Sequence, residues 1–249
     1  MSLAISVLVT TRDRPALLAD ALASIARQTF PPCEIRIADT GAEAVDDLGR
    51  RVGGIPLVLV RAPGASAAEA RNLIAAQARG DVFALLDDDD RWRPGHLEGL
   101  AASLAAPAAR FAFRDSVVVR ETIAADGTRH DLETRTLARD WDDEIMRTDD
   151  YVPPSAWGLE RALFDELGGF DSAYRFSDDW DLLLRARRIT LPVRAPGVTV
   201  EVRMREGGNA SADFGPGRLA DLREMEKRHG LPPLAPKTFW EVAETVSRG

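Results

Sequence analysis

Val82-Phe83-Ala84-Leu85-Leu86 runs straight into Asp87-Asp88-Asp89-Asp90, and the reading of that junction decides the fold. A short apolar run bounded by polar residues predicts a strand buried on both faces. Adjacent carboxylates repel: unit charges about 4 Å apart cost roughly 4 kcal/mol at an effective dielectric near 20, so the cluster calls for a cation, a proton or full hydration. Alternate residues of an extended segment point the same way, which puts Asp87 and Asp89 on one side. Two such oxygen donors suit a hard divalent ion, Mg²⁺ or Mn²⁺, whose shell is often completed by substrate phosphates. The competing reading is a hydrated acidic turn neutralised by Arg91 and Arg93.

Upstream, strand and helix patterns alternate. Leu3 to Thr10 is an apolar, β-branched strand, and Asp13-Arg14-Pro15 offers an N-cap with proline early in a helix. Leu17, Leu18, Ala21, Leu22 and Ile25 recur at helical spacing, and Phe30-Pro31-Pro32 ends that helix. Glu34 to Ala38 and Leu57 to Val60 read as the next strands, and Ala67 to Ala78 as a helix before Gly80-Asp81. The alternation predicts an α/β protein with a mostly parallel sheet flanked by helices. Ligands of such sheets bind beyond the carboxyl ends of the strands. Thr10, Thr11, Asp39 and Asp87 to Asp90 all stand there. Asp39 suits the N–H groups of a nucleobase or simply opens a turn; Arg71 reaches a phosphate, braces the aspartates or lies on the surface.

Downstream, Phe111 to Val119 is a strand, and residues 121–150 form a polar, acidic excursion with a short helix near Trp141 to Met146. That excursion reads as a lid over the acceptor or as a hydrated loop. Arg161 to Leu167, Asp178 to Arg188, Arg218 to His229 and Phe239 to Val246 read as helices, and Val198 to Arg203 as a late strand. One domain over residues 1–249 is expected, with a nucleotide-binding half at about 1–92, an acceptor-binding half at about 93–215 and a helical segment at about 216–249.

The net charge of −8 argues against nucleic acid as a partner. Cys33 is the only cysteine, which excludes an intrachain disulfide and a cysteine-based zinc cluster. It is expected as a small buried residue. No apolar stretch approaches the ~20 residues of a membrane span, and no leader pattern precedes the first strand, so a cytoplasmic location is expected. His96 is expected to pack or cap, and His130 and His229 to be exposed.

Several segments together resemble the GT-A-fold glycosyltransferases, in particular the inverting family 2 group. Ser6-Val7-Leu8-Val9-Thr10-Thr11-Arg12-Asp13-Arg14-Pro15 is similar to their opening strand and loop, and Ala70-Arg71-Asn72 to their Ala-Arg-Asn segment. Leu86-Asp87-Asp88-Asp89-Asp90-Arg91-Trp92 resembles the Leu-Asp-x-Asp-Asp metal motif. Gly168-Gly169-Phe170-Asp171, then Ser177-Asp178-Asp179-Trp180-Asp181-Leu182, resemble the Gly-Gly-Phe-Asp and Glu-Asp-x-Asp-Leu elements. Order and spacing over roughly residues 3–211 carry the match.

The resemblance implies a GT-A sheet and a nucleotide-diphosphate-sugar donor, a UDP-sugar first. It also implies a divalent cation, Mn²⁺ or Mg²⁺, and inverting transfer to the hydroxyl of a glycan, lipid or small-molecule acceptor. Thr10, Thr11, Asp39, Arg71, Asp87 and Asp88 would then bind the nucleotide sugar, Asp89 the metal, and Asp179 would be the catalytic base. Acids at a helix start are also favoured by the helix dipole alone. Relatives carry a histidine near position 206; here Glu206 stands closest as a candidate metal ligand, with Arg203 or Arg205 as candidate partners of the diphosphate. Tyr151 and Trp157 either shape an acceptor pocket or pack in the core. A sugar-nucleotide pyrophosphorylase would need a glycine-rich loop that Thr10-Thr11-Arg12-Asp13-Arg14 lacks. A relative of the same fold that binds nucleotide sugars or partners without turnover is the remaining alternative.

Overall fold

The computed structural model describes residues 3–45, 48–205 and 214–247. Its first half is built as the alternation predicts. Strand β1 (Ile5–Thr11) leads into α1 (Pro15–Ala26), β2 (Glu34–Asp39), the short β3 (Arg51–Val52) and β4 (Ile55–Arg61). Helix α2 (Ala67–Ala75) and β5 (Val82–Asp87) follow. β4, β2, β1 and β5 lie side by side and parallel. β2 is buried along its whole length and β5 up to Leu86, as expected of parallel strands covered on both faces.

The register aligns the strand ends. Thr10 pairs with Asp87, Thr11 with Asp39, and Asp39 with Arg61. Residues far apart in the chain therefore meet along one rim of the sheet.

The second half completes a mixed sheet. Its elements are β6 (Arg91–Trp92), α3 (His96–Leu104), β7 (Phe111–Ile123), β8 (Arg129–Leu137), β9 (Trp157–Glu160), α4 (Arg161–Leu167), α5 (Asp178–Arg187), β10 (Val193–Met204), α6 (Pro216–His229) and α7 (Phe239–Ser247). Among the described residues the strand order is β3-β4-β2-β1-β5-β9-β7-β10-β6, with β8 paired to β7. β9 runs antiparallel to both β5 and β7 and joins the two halves of the sheet.

The acidic excursion is corrected here. Most of residues 121–137 extend β7 and return as β8, a hairpin turning near Gly127, and only Ile145–Arg147 forms a short 3₁₀ turn. α2 ends at Ala75, and Asp13 does not cap α1: Arg14 holds that position, and an Asp13 oxygen accepts the Ala42 amide at 3.0 Å. Cys33 is half-buried, and His130 is exposed. His96 packs in the core, stacked on Trp92 with Nδ1 3.0 Å from Thr199 Oγ1. His229, expected at the surface, is instead enclosed, with Nε2 2.8 Å from Asp181 Oδ1. An Arg188 guanidinium at 3.1 Å can only donate, so Nδ1 accepts and Nε2–H donates to Asp181.

Two close contacts fasten α2 to the loop before α5. Asn72 donates to the Phe170 carbonyl at 2.8 Å and accepts the Phe170 amide at 2.9 Å. Gly169 has φ 74°, and a Cβ there would stand 2.6 Å from Asn72 Oδ1, so a glycine is required.

Candidate active site

A cleft of about 780 Å³ opens at the rim where β1, β2 and β5 end. Thr10, Thr11, Arg71, Asp87, Asp88, Asp89 and Asp179 all line it, so the sheet brings these expected site residues to one place. Asp39 is the exception. It is fully buried and away from the cleft wall, with its carboxylate accepting the Gly41 amide at 2.9 Å, the Val45 amide at 2.8 Å and the Arg61 guanidinium. Asp39, expected to contact the base or to open a turn, has its oxygens engaged by the loop after β2, and the adjacent Thr40 lines the cleft. Glu206 lies outside the described residues.

The four aspartates alternate. Asp87, its side chain 32% exposed, and Asp89, at 12%, are partly open, whereas Asp88 and Asp90 are buried. Asp88 accepts from Thr11 Oγ1 at 2.7 Å and from Arg14 at 3.3 Å. Ser155 Oγ donates to Asp90 at 2.6 Å while receiving the Asp87 amide at 3.1 Å, and the Arg203 amide holds the other Asp90 oxygen at 3.0 Å. Pro153-Pro154-Ser155 thus braces the acidic turn. Asp89 is contacted by Arg14 and Arg205. Arg205 and Arg203 share Glu121, a buried acid of β7 that also binds Arg129 of the hairpin. Tyr151 and Trp157 are core residues; the aromatic rings on the cleft wall are Phe176, Trp180 and Phe239.

Arg71 is neither a surface residue nor open to solvent. One arm binds Asp87 Oδ1 at 2.9 Å and the other Asp178 Oδ2 at 2.9 Å, with the guanidinium 5.3 Å from the Phe170 ring centre. This bridge ties α2 and the end of β5 to the first turn of α5, which presents Asp179. An Asp179 oxygen is oriented by the Trp180 amide at 2.8 Å.

Carboxyls here are held above their ordinary range. Burial and then neighbouring Asp89 push Asp88 up to about 6. Burial, opposed by Arg71 and helped by Asp179, pushes Asp178 up to about 7. Asp89, Asp90 and Asp179 are raised too, burial first in each. Such groups bind protons in the folded chain that the unfolded chain has released, so stability falls as pH climbs from about 4 to about 7. His96 opposes this, because burial depresses its imidazole and the unfolded chain takes up that proton in acid. With Asp150 raised in the same way, six carboxyls outweigh one imidazole, so without ligand the Tm is expected to be higher near about pH 5.5 than near about pH 8. A scan showing the reverse order would mean that these acids are neutralised otherwise.

Several residues of the cleft escaped the sequence reading. Asp150 lines the cleft, as do Arg175 and Arg218 beside Phe176. The segment before α7 supplies Ala235 and Lys237 as well. The run Asp149-Asp150 lay inside the excursion noted as acidic, and nothing local marked which acid would turn inward. As for a cation, Asp87 and Asp89 are the two less buried carboxylates of the acidic turn. No group of three or more acidic, histidine or cysteine side chains arranged to hold a metal is found among the described residues.

Comparisons with known proteins agree with this architecture. Residues 6–168 match the family described as glycosyl transferase family 2. The uncharacterized glycosyltransferase YwdF of Bacillus subtilis (strain 168) is 33% identical over 237 residues, covering 94% of this chain and 87% of that protein. Among solved structures, S. aureus TarS 1-349 in complex with UDP-GlcNAc superposes with a TM-score of 0.64 at 17% identity, covering 90% of this chain and 65% of that one. The mannosyltransferase PcManGT from Pyrobaculum calidifontis, in complex with GDP-Man and Mn2+, gives 0.64 at 17% identity, covering 99% and 70%. This chain therefore spans about two thirds of the length of those solved chains, and they show the GT-A fold.

Proposed function

This chain belongs to glycosyl transferase family 2 and is a glycosyltransferase, and from that premise we propose an inverting, metal-dependent transfer from a UDP-sugar to an acceptor hydroxyl. The observation that carries the reading is the Arg71 bridge. It sets Asp179 on the same cleft wall as Asp87 and Asp89, with a rigid link between the diphosphate end and the acceptor end. Residues up to about 92 form the donor half, those from about 93 to 215 the acceptor half, and the final helices close the cleft.

Donor binding falls to the strand ends. Thr10, Thr11 and Thr40 line the nucleotide side, while Asp39 fixes the loop that carries Thr40. The donor set fits a hard divalent ion: two carboxylates at alternate positions face the cleft while their neighbours are turned inward and satisfied. Ions of this class commonly take one or two carboxylates and complete their shell with phosphate oxygens, so a third protein ligand is not required. Asp89, with Asp87, would hold Mn²⁺ or Mg²⁺, which when bound supplies Lewis-acid stabilisation of the departing diphosphate. Arg14 and Arg205 stand beside the same carboxylate and add positive charge on that side.

At the other end, Asp179 takes the proton of the attacking hydroxyl as the oxygen closes on the anomeric carbon. Burial raises its pKa and makes it a stronger base than a hydrated carboxylate. Asp178 stays locked to Arg71 and holds the helix start in place. No helix among the described residues is long and apolar enough to cross a membrane.

The direct test is linkage. UDP with Mn²⁺ at about a hundredfold its dissociation constant should add about 2.7 kcal/mol of stability, or roughly 5–10 °C in Tm for a chain of this size. GDP serves as the comparison nucleotide. No shift with either nucleotide at millimolar concentration would remove the donor site.

A further inference from the structure

The acceptor end of the cleft holds a carboxylate that the transfer chemistry above does not use. Asp150 lines the cleft with Asp179, Phe176 and Trp180. Its one hydrogen bond is a long contact from the Val152 amide, 3.4 Å. Its neighbour Asp149 differs, being bound by Lys237 and by Thr148 Oγ1 at 2.8 Å. Burial, and then the facing charge of Asp179, disfavour ionised Asp150, with Arg218 offsetting only part. A carboxylate kept in that state weakens the ligand-free chain. A side chain that lowers the stability of the ligand-free chain is the kind expected at a binding site, where function is traded against stability.

A second orphan stands on the same wall. Ser177 is 1% exposed and occupies the N-cap of α5, yet it makes no capping bond and its Oγ has no hydrogen-bond partner. Serine at an N-cap ordinarily binds the exposed amides of the first turn. Arg218 donates through Nη1 to the Phe176 carbonyl at 2.8 Å, but its Nε is likewise without a partner. Asp150, with its single long hydrogen bond, and the unpartnered Ser177 Oγ and Arg218 Nε thus belong to the lining of the same cleft as Asp179.

We propose that Asp150 and Ser177 form an acceptor subsite for a polyhydroxylated ring, a pyranoside whose reacting hydroxyl sits on Asp179 while the neighbouring hydroxyl binds Asp150. The assignment rests on Asp179 being the base of the transfer. Hydroxyls on adjacent ring carbons are spaced to engage two facing carboxylates at once, and the C–H faces of a sugar ring suit Phe176 and Trp180. A monohydric alcohol, such as a lipid alcohol, would displace water from the half-buried Asp150 and offer it no hydroxyl. That costs about 1–3 kcal/mol, or roughly ten- to a hundredfold in affinity.

The experiment uses the full chain with UDP or GDP and Mn²⁺ present. A panel of methyl pyranosides (gluco, galacto, manno and their N-acetylamino forms) is titrated against long-chain monohydric alcohols by calorimetry and intrinsic tryptophan fluorescence. At least one pyranoside should bind better than the alcohols by about tenfold or more. Asp150→Asn should weaken that pyranoside by about tenfold, leave nucleotide affinity within about twofold, and leave the Tm unchanged or higher. Ser177→Ala should weaken the same pyranoside by a smaller factor.

Equal pyranoside binding by wild type and Asp150→Asn overturns the proposal. So does binding of an alcohol as tightly as the best pyranoside, or a marked fall in Tm that assigns Asp150 a purely structural role. If nucleotide binds and no pyranoside does, the subsite is wrong and the transferase reading stands. If neither nucleotide binds, that reading fails first and takes the subsite with it.

Discussion

Asp179→Asn should lower glycosyl transfer by about 10²–10⁴-fold, the range removed with a positioned general base. UDP affinity should stay nearly constant, because the donor contacts proposed above fall to Thr10, Thr11 and the Asp87–Asp89 turn, which line the cleft. Folding should not suffer. The wild-type carboxyl is buried and raised by that burial, with Arg71 pulling the other way and Asp87 adding to the rise, so a neutral amide of the same shape relieves a cost. The combination is diagnostic: an intact or slightly higher Tm, intact nucleotide binding and lost turnover. The pH profile supplies a second check. In wild type, kcat/KM should fall as pH drops through a base pKa above the ordinary aspartate range, and that limb should vanish in residual Asp179→Asn activity. Turnover retained within tenfold would assign the base elsewhere, with Asp150 the next carboxyl on the wall.

What made the donor end legible was one-dimensional. β1, β2 and β5 are continuous apolar runs because both faces are covered, and their ends carry the polar residues that meet at the rim. The alternation of Asp87 and Asp89 with Asp88 and Asp90 followed from strand geometry alone, and the burial pattern repeats it. The acceptor end was not legible in the same way. β8 reads Arg129-His130-Asp131-Leu132-Glu133-Thr134-Arg135-Thr136-Leu137, mostly exposed and charged on an edge position, so it carries no apolar alternation. β9 is only four residues long and is fixed by pairing with β5 and β7, a tertiary fact. Asp39 stayed open to two readings for a related reason: an acid at a strand end faces either the ligand or its own loop, and only the fold shows its contacts with Gly41, Val45 and Arg61. His229 looked exposed within Lys227-Arg228-His229-Gly230, yet its partner Asp181 lies on another helix.

Arg71 is where those halves meet, and its loss should be the most damaging single change to stability. The side chain is 9% exposed and serves two acids, Asp178 at 5% and Asp87 at 32%. Removing one partner of a buried ion pair leaves an uncompensated charge, which costs about 3–5 kcal/mol. Arg71→Met retains much of the apolar stem against Phe170 but leaves Asp178 beside Asp179 with no cation between them. A fall in Tm of roughly 10 °C follows for a chain of this size, together with loss of transfer, because the first turn of α5 is no longer tied to β5. Arg71→Lys should recover only part, since a single ammonium does not span both carboxylates as the guanidinium fork does. The sign of the pH response separates this account from simple loss of packing. Without Arg71 the Asp178 carboxyl rises further above its unfolded value, so the variant binds an extra proton on folding. Its stability deficit should therefore shrink as pH falls from about 8 to about 5, where Asp178 is neutral and needs no partner. A deficit that is constant across that range would mean the guanidinium acts through its contact with Phe170, and a variant as stable as wild type at pH of about 8 would dissolve the bridge altogether.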